Sequence, residues 1–255
     1  MPENSSWLTL ILEHMKHTLA HNADLLGTSV VGHVSPTWRS FEPIFAGLFA
    51  LFFVLVFSFI ARAKLVKADE AVVPDSGLTI RTFVEAFLEY FYELAKSVLG
   101  PERAKKYFPI IGTSAMFIFF SNILALVPGF PVATSSLNVT LGCALVVFVL
   151  FNLYGLVENG WSYVTHLAGP AWYLVPLILP IELISLCVRP VTLAVRLTLN
   201  MSVDHLILSI FLGLFAVLVP VPLMILGILV IVLQTLVFTL LTCIYIGLAT
   251  EHEEH

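Results

Sequence analysis

The sequence predicts an all-α membrane protein with about five membrane-embedded helices plus an amphipathic surface helix, the last two membrane helices forming a long tilted hairpin. Three observations predict it. Of 255 residues 59% are hydrophobic and only 11% charged, where a soluble domain carries about a quarter charged residues. Apolar runs close to the roughly 20 residues that a bilayer core requires recur along the chain. Lysine and arginine are concentrated in one connection.

The first run, "PIFAGLFALFFVLVFSFIA", belongs to a span over 43–62, and the segment 1–42 before it reads as an exterior N-terminal segment. That segment lacks the basic start and small-residue cleavage site of a signal peptide, so the first span is expected to act also as insertion signal. After a turn at "VPDSG", residues 78–99 repeat apolar residues at helical spacing with Glu85, Glu89 and Glu93 four apart. Such a helix is too polar to cross and suits a membrane surface or a partner. Spans over 107–128 and 138–157 follow, joined by the uncharged "GFPVATSS". The region 171–219 is apolar for nearly fifty residues, and a last run covers 222–250; the membrane domain as a whole is 43–255.

Eight of the twelve basic residues, Arg62, Lys64, Lys67, Arg81, Lys96, Arg103, Lys105 and Lys106, lie between the first and second spans. The positive-inside bias puts that connection in the cytoplasm, the N-terminus outside and the C-terminus in the cytoplasm. The loop at Glu158 is then cytoplasmic, and the long apolar region starts from the inside.

A helix of roughly 47 residues would be about 70 Å long, against a hydrocarbon core of about 30 Å. Two solutions remain. One is a pair of ordinary spans with an external loop at "RPVTLAVRLTLN", which would put Arg189 and Arg196 outside, against the charge bias. The other is a single tilted helix adjusted at Pro176, Pro180 and Pro190, a tight turn at "VPVP", and a returning helix. Polar spacing favours the second. Glu182, Ser185, Arg189, Arg196, Asn200 and Asp204 are separated by 3, 4, 7, 4 and 4 residues, close to one helical stripe. An arginine in the membrane costs about 2.5 to 3.5 kcal/mol on insertion scales, so it faces water, a counter-charge or a cavity. Gln234 on the returning helix is an amide that needs a partner in lipid and could reach across to the stripe.

At these residues the chain resembles the a subunit of F-type ATP synthase, the static half of a membrane rotor. The resemblance rests on "RLTLNM", on "PIELISLCVRPV" upstream, on Gln234 and on "FFSNILALVPGF", and it runs from residue 43 to the C-terminus. It implies a hairpin lying against a ring of c subunits (the c-ring), with Arg196 as the essential arginine facing the ring's carboxylates. The other implied partners are the b subunits of the peripheral stalk, the F1 sector indirectly, and the lipid bilayer. Cofactors, a metal site and nucleic acid are not expected. The subunit is then no enzyme by itself but couples proton flow to rotation and ATP synthesis through two offset half-channels. Topology puts Glu182 and Ser185 on the cytoplasmic half-path, where the family also has an acid. Asn200, Asp204 and His205 lie on the outer side, with Ser121 and Asn122 bordering it, and Gln234 is expected to hold Arg196 in position. A bacterial plasma membrane is the expected location.

The chain departs from the family at several points. Many members read Arg-Leu-Phe-Gly-Asn where Thr198 and Leu199 stand here, which puts close backbone packing in question. Members often have glutamate nine residues after the arginine, where this chain has His205 beside Asp204; an aspartate that some carry near the end of the second span is Ala125. The outer path is therefore expected to rely on Asp204 and His205.

Plainer readings stand beside these. Glu182 could only pair with Arg189, and Asp204 with His205 or a helix end. His14, His17 and His21 repeat at helical spacing but read as the exposed face of a short helix rather than a metal site, and "EHEEH" reads as a solvated end. Cys143, Cys187 and Cys243 have no metal or framework spacing and read as packing residues. The rival function is a stand-alone proton or cation channel or antiporter, which would conduct without a partner ring. An intramembrane enzyme lacks its constellation, since neither His-Glu-x-x-His nor a Ser-His pair in facing spans occurs.

Overall fold

In the computed structural model, the described residues are 13, 14, 41–65, 79–126, 130, 133–160, 175–214 and 220–250. Their long elements are α1 (Glu42–Leu65), α2 (Ile80–Leu99), α3 (Pro101–Ala125), α4 (Leu137–Asn159), α5 (Val175–Leu214) and α6 (Pro220–Thr250), with a 3-10 turn at Ala133–Ser135 before α4. No strand occurs among the described residues. Five helices, all but α2, are long and apolar enough to cross a membrane. His17, His21, the "VPDSG" turn, most of "ENGWSYVTHLAGP" and the "EHEEH" end lie outside the described residues. Of the expected "VPVP" turn only Val219 lies outside them; Pro220, Val221 and Pro222 are already the start of α6, because proline is tolerated in a first helical turn.

α2 is the amphipathic helix, and its ends follow from its sequence. Thr79 takes an extended backbone, φ −99°, and its side chain accepts from the Thr82 amide at 3.4 Å, the arrangement of an N-cap. Arg81, Val84, Phe91, Ala95 and Leu99 form its buried face. Gly100 ends it in the left-handed region at φ 80°, where a side chain would be strained, and returns its N–H to the Lys96 carbonyl at 3.0 Å. Proline suits the first position of a helix because its missing N–H has no intrahelical acceptor there. α3 accordingly starts at Pro101, six residues before the expected span at 107, and the charged residues Glu102 to Lys106 are its first turns rather than a loop.

α5 decides between the two solutions for the long apolar region. It runs unbroken for 40 residues with Pro180 and Pro190 inside it, and residues 189–200 are helical throughout, so the loop reading of "RPVTLAVRLTLN" is overturned. An interior proline forfeits one backbone hydrogen bond at about 3 kcal/mol. A loop in hydrocarbon would strand several backbone groups at comparable cost each, so the helix persists.

The chain divides into two compact units, and all five long helices contribute a segment to each. The first gathers the described residues up to Val56 with Phe117–Thr140 and Leu197–Val232. Its centre is buried Met201 and Ile231, with Phe119, Ile123 and Leu126 packed on them. The second gathers Phe57–Met116, Leu141–Arg196 and the described residues from Leu233 on. Aromatic contacts join its helices: Tyr107 with Tyr154 at 4.8 Å between ring centroids, and Phe151 with Tyr245 at 5.8 Å. In both units α5 and α6 run antiparallel. Residues near 204 and 208 meet residues near 223 and 227 in the first, and Arg189 meets Tyr245 in the second. Large apolar side chains such as Phe59, 75% exposed, line the outer faces, the pattern of a surface that meets lipid or a partner.

Candidate functional site

A residue every 100° around a helix makes spacing translate directly into direction. On α5, Leu186, Pro190, Leu193, Ala194, Leu197 and Met201 are buried, while Val188, Val191, Leu199, Val203, Leu206 and Ile210 are exposed. Arg196 is exposed, at the border of those two arcs. It forms no hydrogen bond or ion pair among the described residues, and exposed Thr192, Leu199 and Val203 surround it on the helix surface. A guanidinium is thus presented on an otherwise apolar face, where only a partner's charge or water can answer it.

The polar stripe is not straight. Each spacing of four overshoots a 3.6-residue turn by about 40°, so Asp204 points about 80° away from Arg196. That drift carries it off the exposed arc. Asp204 and His205 line a cavity of about 90 Å³ in the first unit, together with Asn122 of α3, Met201 and residues 223–231 of α6. Gly227 permits the close approach of α6, since a Cβ there would lie 3.3 Å from Leu126.

The polar groups around this cavity are incompletely satisfied. Asn122 is fully buried; its Oδ1 accepts from the Thr134 hydroxyl at 2.8 Å, but its Nδ2 has no partner among the described residues. Asp204 Oδ2 and Ser121 Oγ are likewise buried and without a partner among the described residues. A buried polar atom without a partner costs about 1 to 3 kcal/mol, and native proteins keep such atoms where water, an ion or chemistry meets them. Asn200 is partly buried.

In the second unit the predicted residues fall differently. Glu182 lies 3.8 Å from Arg189, an ion pair at the long end of the range, and the Arg189 guanidinium sits over the Tyr245 ring at 5.4 Å. Ser185 is exposed. Gln234 is partly buried and makes no hydrogen bond to Arg196 among the described residues, so the expected clamp is not formed.

Three features escaped the sequence reading. The Tyr107 hydroxyl and Lys106 Nζ both donate to Glu158 Oε2, the lysine at 2.6 Å. Nothing in a 51-residue separation signals this, although the charge of Glu158 at the end of an apolar run could have prompted a search. Beside it, Asn159 Nδ2 donates to the Ala249 carbonyl at 3.2 Å. In the first unit, the Thr198 and Thr140 hydroxyls are 2.5 Å apart and Ser202 Oγ donates to the Ser135 carbonyl at 3.3 Å.

Residues 44–247 match the model of the family described as ATP synthase A chain. The chain is 58% identical over 255 residues, all of both chains, to ATP synthase subunit a of Sorangium cellulosum. It is 44% identical over 189 residues to ATP synthase subunit a 1 of Syntrophotalea carbinolica, covering 74% of this chain and 79% of that one. With subunit a of Bdellovibrio bacteriovorus the identity is 39% over 194 residues, 76% and 84% of the two chains. The chain therefore belongs to the ATP synthase A chain family, the a subunits of the membrane sector of ATP synthase.

Proposed function

We propose that this protein is the stator of a rotary proton motor, with two offset half-paths and Arg196 facing the carboxylates of a c-subunit ring. The observation that carries the proposal is Arg196 itself, a guanidinium exposed on a largely apolar face of a 40-residue helix, with no hydrogen bond or ion pair among the described residues. Such a charge has a use only if something anionic passes it.

Protons cannot cross about 30 Å of hydrocarbon unaided, so each half-path reaches mid-membrane and a moving carboxylate connects the two. Protonated and neutral, that carboxylate travels through lipid. Next to Arg196 the anion is stabilised and the proton leaves. Arginine holds its charge even when desolvated, unlike lysine, and so also blocks protons from passing directly between the half-paths. Asp204, His205, Asn200, Asn122 and Ser121 form the outer half-path; the unpartnered atoms around the cavity support this, because water there would supply the missing hydrogen bonds. His205 is the relay, because an imidazole can take up a proton at one nitrogen and release one from the other. Glu182 and Ser185 form the cytoplasmic half-path, and the 3.8 Å separation from Arg189 leaves the Glu182 carboxylate loosely held. Gln234 stays within the same pair of helices, where it engages Arg196 once the ring is docked. The membrane potential contributes about 2.3 kcal/mol per proton per 100 mV.

The remaining placement follows from the same reading. The N-terminus faces outside and the C-terminus the cytoplasm of a bacterial plasma membrane, with b subunits of the peripheral stalk and, through them, the F1 sector as further partners. The subunit carries no catalysis of its own.

The test is ATP-driven proton pumping in inverted membrane vesicles carrying Arg196→Ala, with assembled complex quantified on the same membranes. Normal assembly with pumping abolished is the expected result. Pumping at near wild-type rate would make Arg196 structural and remove the proposal.

A further inference from the structure

We propose that Thr198 and Thr140 form a positioning lock that fixes the rotation of α5, and through it the direction of Arg196. This rests on the reading of Arg196 given above. Thr140 is fully buried on α4 and Thr198 is partly buried on α5. Their oxygens are 2.5 Å apart, a short hydroxyl contact.

Either hydroxyl can donate to the other. Thr140 Oγ1 also lies 3.2 Å from the carbonyl oxygens of Ser136 and Leu137, which can accept its proton. The contact therefore joins α5 to a buried polar group of α4 with the directional preference of a hydrogen bond.

Helical geometry links the pair to Arg196. Two residues along the helix is about 200° around it, so holding Thr198 against α4 turns Arg196 to the opposite, exposed side. One turn further, Ser202 Oγ donates to the Ser135 carbonyl at 3.3 Å. Two polar contacts on successive turns oppose rotation more than apolar packing does, since apolar contacts are non-directional. Leu199, the next residue along the helix, is exposed. Thr198 is a positioning residue: it acts on the ring's carboxylate only through Arg196.

The experiment compares Thr198→Val, Thr140→Val, Thr198→Ser and the double valine variant in the assembled complex in inverted vesicles. The readout is protons pumped per ATP hydrolysed, with Arg196→Ala alongside. Valine keeps the shape of threonine and removes only the hydroxyl, so each single valine variant is expected to lower the ratio roughly fivefold, the factor given by one hydrogen bond. Thr198→Ser restores the ratio, and the double variant stays as uncoupled as either single one. The proposal is overturned by valine variants that couple as wild type. It is also overturned by a serine variant that assembles but stays uncoupled, or by a double variant that recovers coupling, which would reduce the single defects to an orphaned hydroxyl. If the valine variants fail to accumulate, Thr140→Cys with Thr198→Cys, in a chain whose native cysteines are serine, replaces them. Retained pumping after oxidation to the disulfide supports the lock; loss that a thiol reductant reverses overturns it. Arg196→Ala separates the two readings: if it abolishes pumping while Thr198→Val couples normally, only the lock falls, and if it pumps, the role of Arg196 falls.

Discussion

In the unit built from Phe57–Met116, Leu141–Arg196 and the residues from Leu233 on, three polar groups away from Arg196 find partners on neighbouring turns or helices. Glu158 receives Lys106 and Tyr107, Glu182 faces Arg189, and Arg189 rests on Tyr245. In the other unit, Asp204, Asn122 and Ser121 keep buried atoms without partners among the described residues, two of the three residues lining a cavity. What distinguishes these groups is that Glu158 and Arg189 meet donors, an acceptor and a ring from elsewhere in the chain, whereas Asp204 and Asn122 line open volume. Polarity inside a membrane protein can serve structure or transport, and satisfaction of the hydrogen bonds tells which.

The largest effect that could break this comparison is at Asp204. Asp204→Leu removes an unpartnered carboxylate and is expected to leave heat stability of the complex unchanged or raised. ATP-driven pumping per assembled complex should fall roughly 10²-fold, as for loss of a proton-transferring group. Reduced assembly with unchanged pumping per complex would make the cavity a structural feature.

At Glu158 the expectation is reversed. Glu158→Ala strands the hydroxyl of Tyr107, which is fully buried, while Lys106, its side chain 54% exposed, rehydrates. The stranded hydroxyl costs about 1 to 3 kcal/mol, and each kcal/mol lowers the melting temperature by about 2 to 4 °C in a chain of this size. Coupling per assembled complex should stay within roughly twofold of wild type. Thermal scans and pumping assays on one preparation decide it; uncoupling without loss of stability would move Glu158 into the transport machinery.

A smaller effect sharpens the role of Glu182. The Glu182–Arg189 pair is long at 3.8 Å and partly exposed, so a double-mutant cycle on stability should give about 0.2 to 1 kcal/mol. Glu182→Gln should slow pumping and Arg189→Gln should not. Equal slowing by both would reduce Glu182 to a partner of Arg189.

The smallest effect is at the exposed Lys96–Glu93 pair of α2. A hydrogen bond from the ammonium to Glu93, and then its charge, raise the Lys96 pKa above 10.5. A raised lysine pKa contributes stability that is fully present below 10.5 and is lost as pH rises through the folded value. Full solvent exposure makes this contribution small and removable by salt. Lys96→Met should therefore leave stability unchanged at neutral pH in moderate salt, which a melting comparison at two salt concentrations checks.

Much of this molecule was legible in the chain. Five apolar runs announced five helices because hydrocarbon admits a spanning segment only if its backbone bonds are closed within it. Glu85, Glu89 and Glu93 at intervals of four announced the amphipathic α2, and Arg196 within apolar neighbours marked the residue on which the proposed function rests. Helix starts were harder. Charges after Pro101 suggested a loop, yet Gly100 and Pro101 together end one helix and begin the next within two residues.

Local sequence by itself determined which segments are helical, the basic bias of one connection and the presence of an arginine where charge is costly. Those properties depend on neighbours a few residues apart and on the solvent, and both are written in the chain. Only tertiary structure decided that α5 passes through two prolines unbroken, that Asp204 turns into a cavity while Arg196 stays exposed, and that Thr198 meets Thr140. It also decided that Glu158 is satisfied and Asn122 is not. Whether a buried polar atom finds a partner depends on groups 12 to 58 residues away brought within about 3 Å, and spacing along one helix carries no record of them.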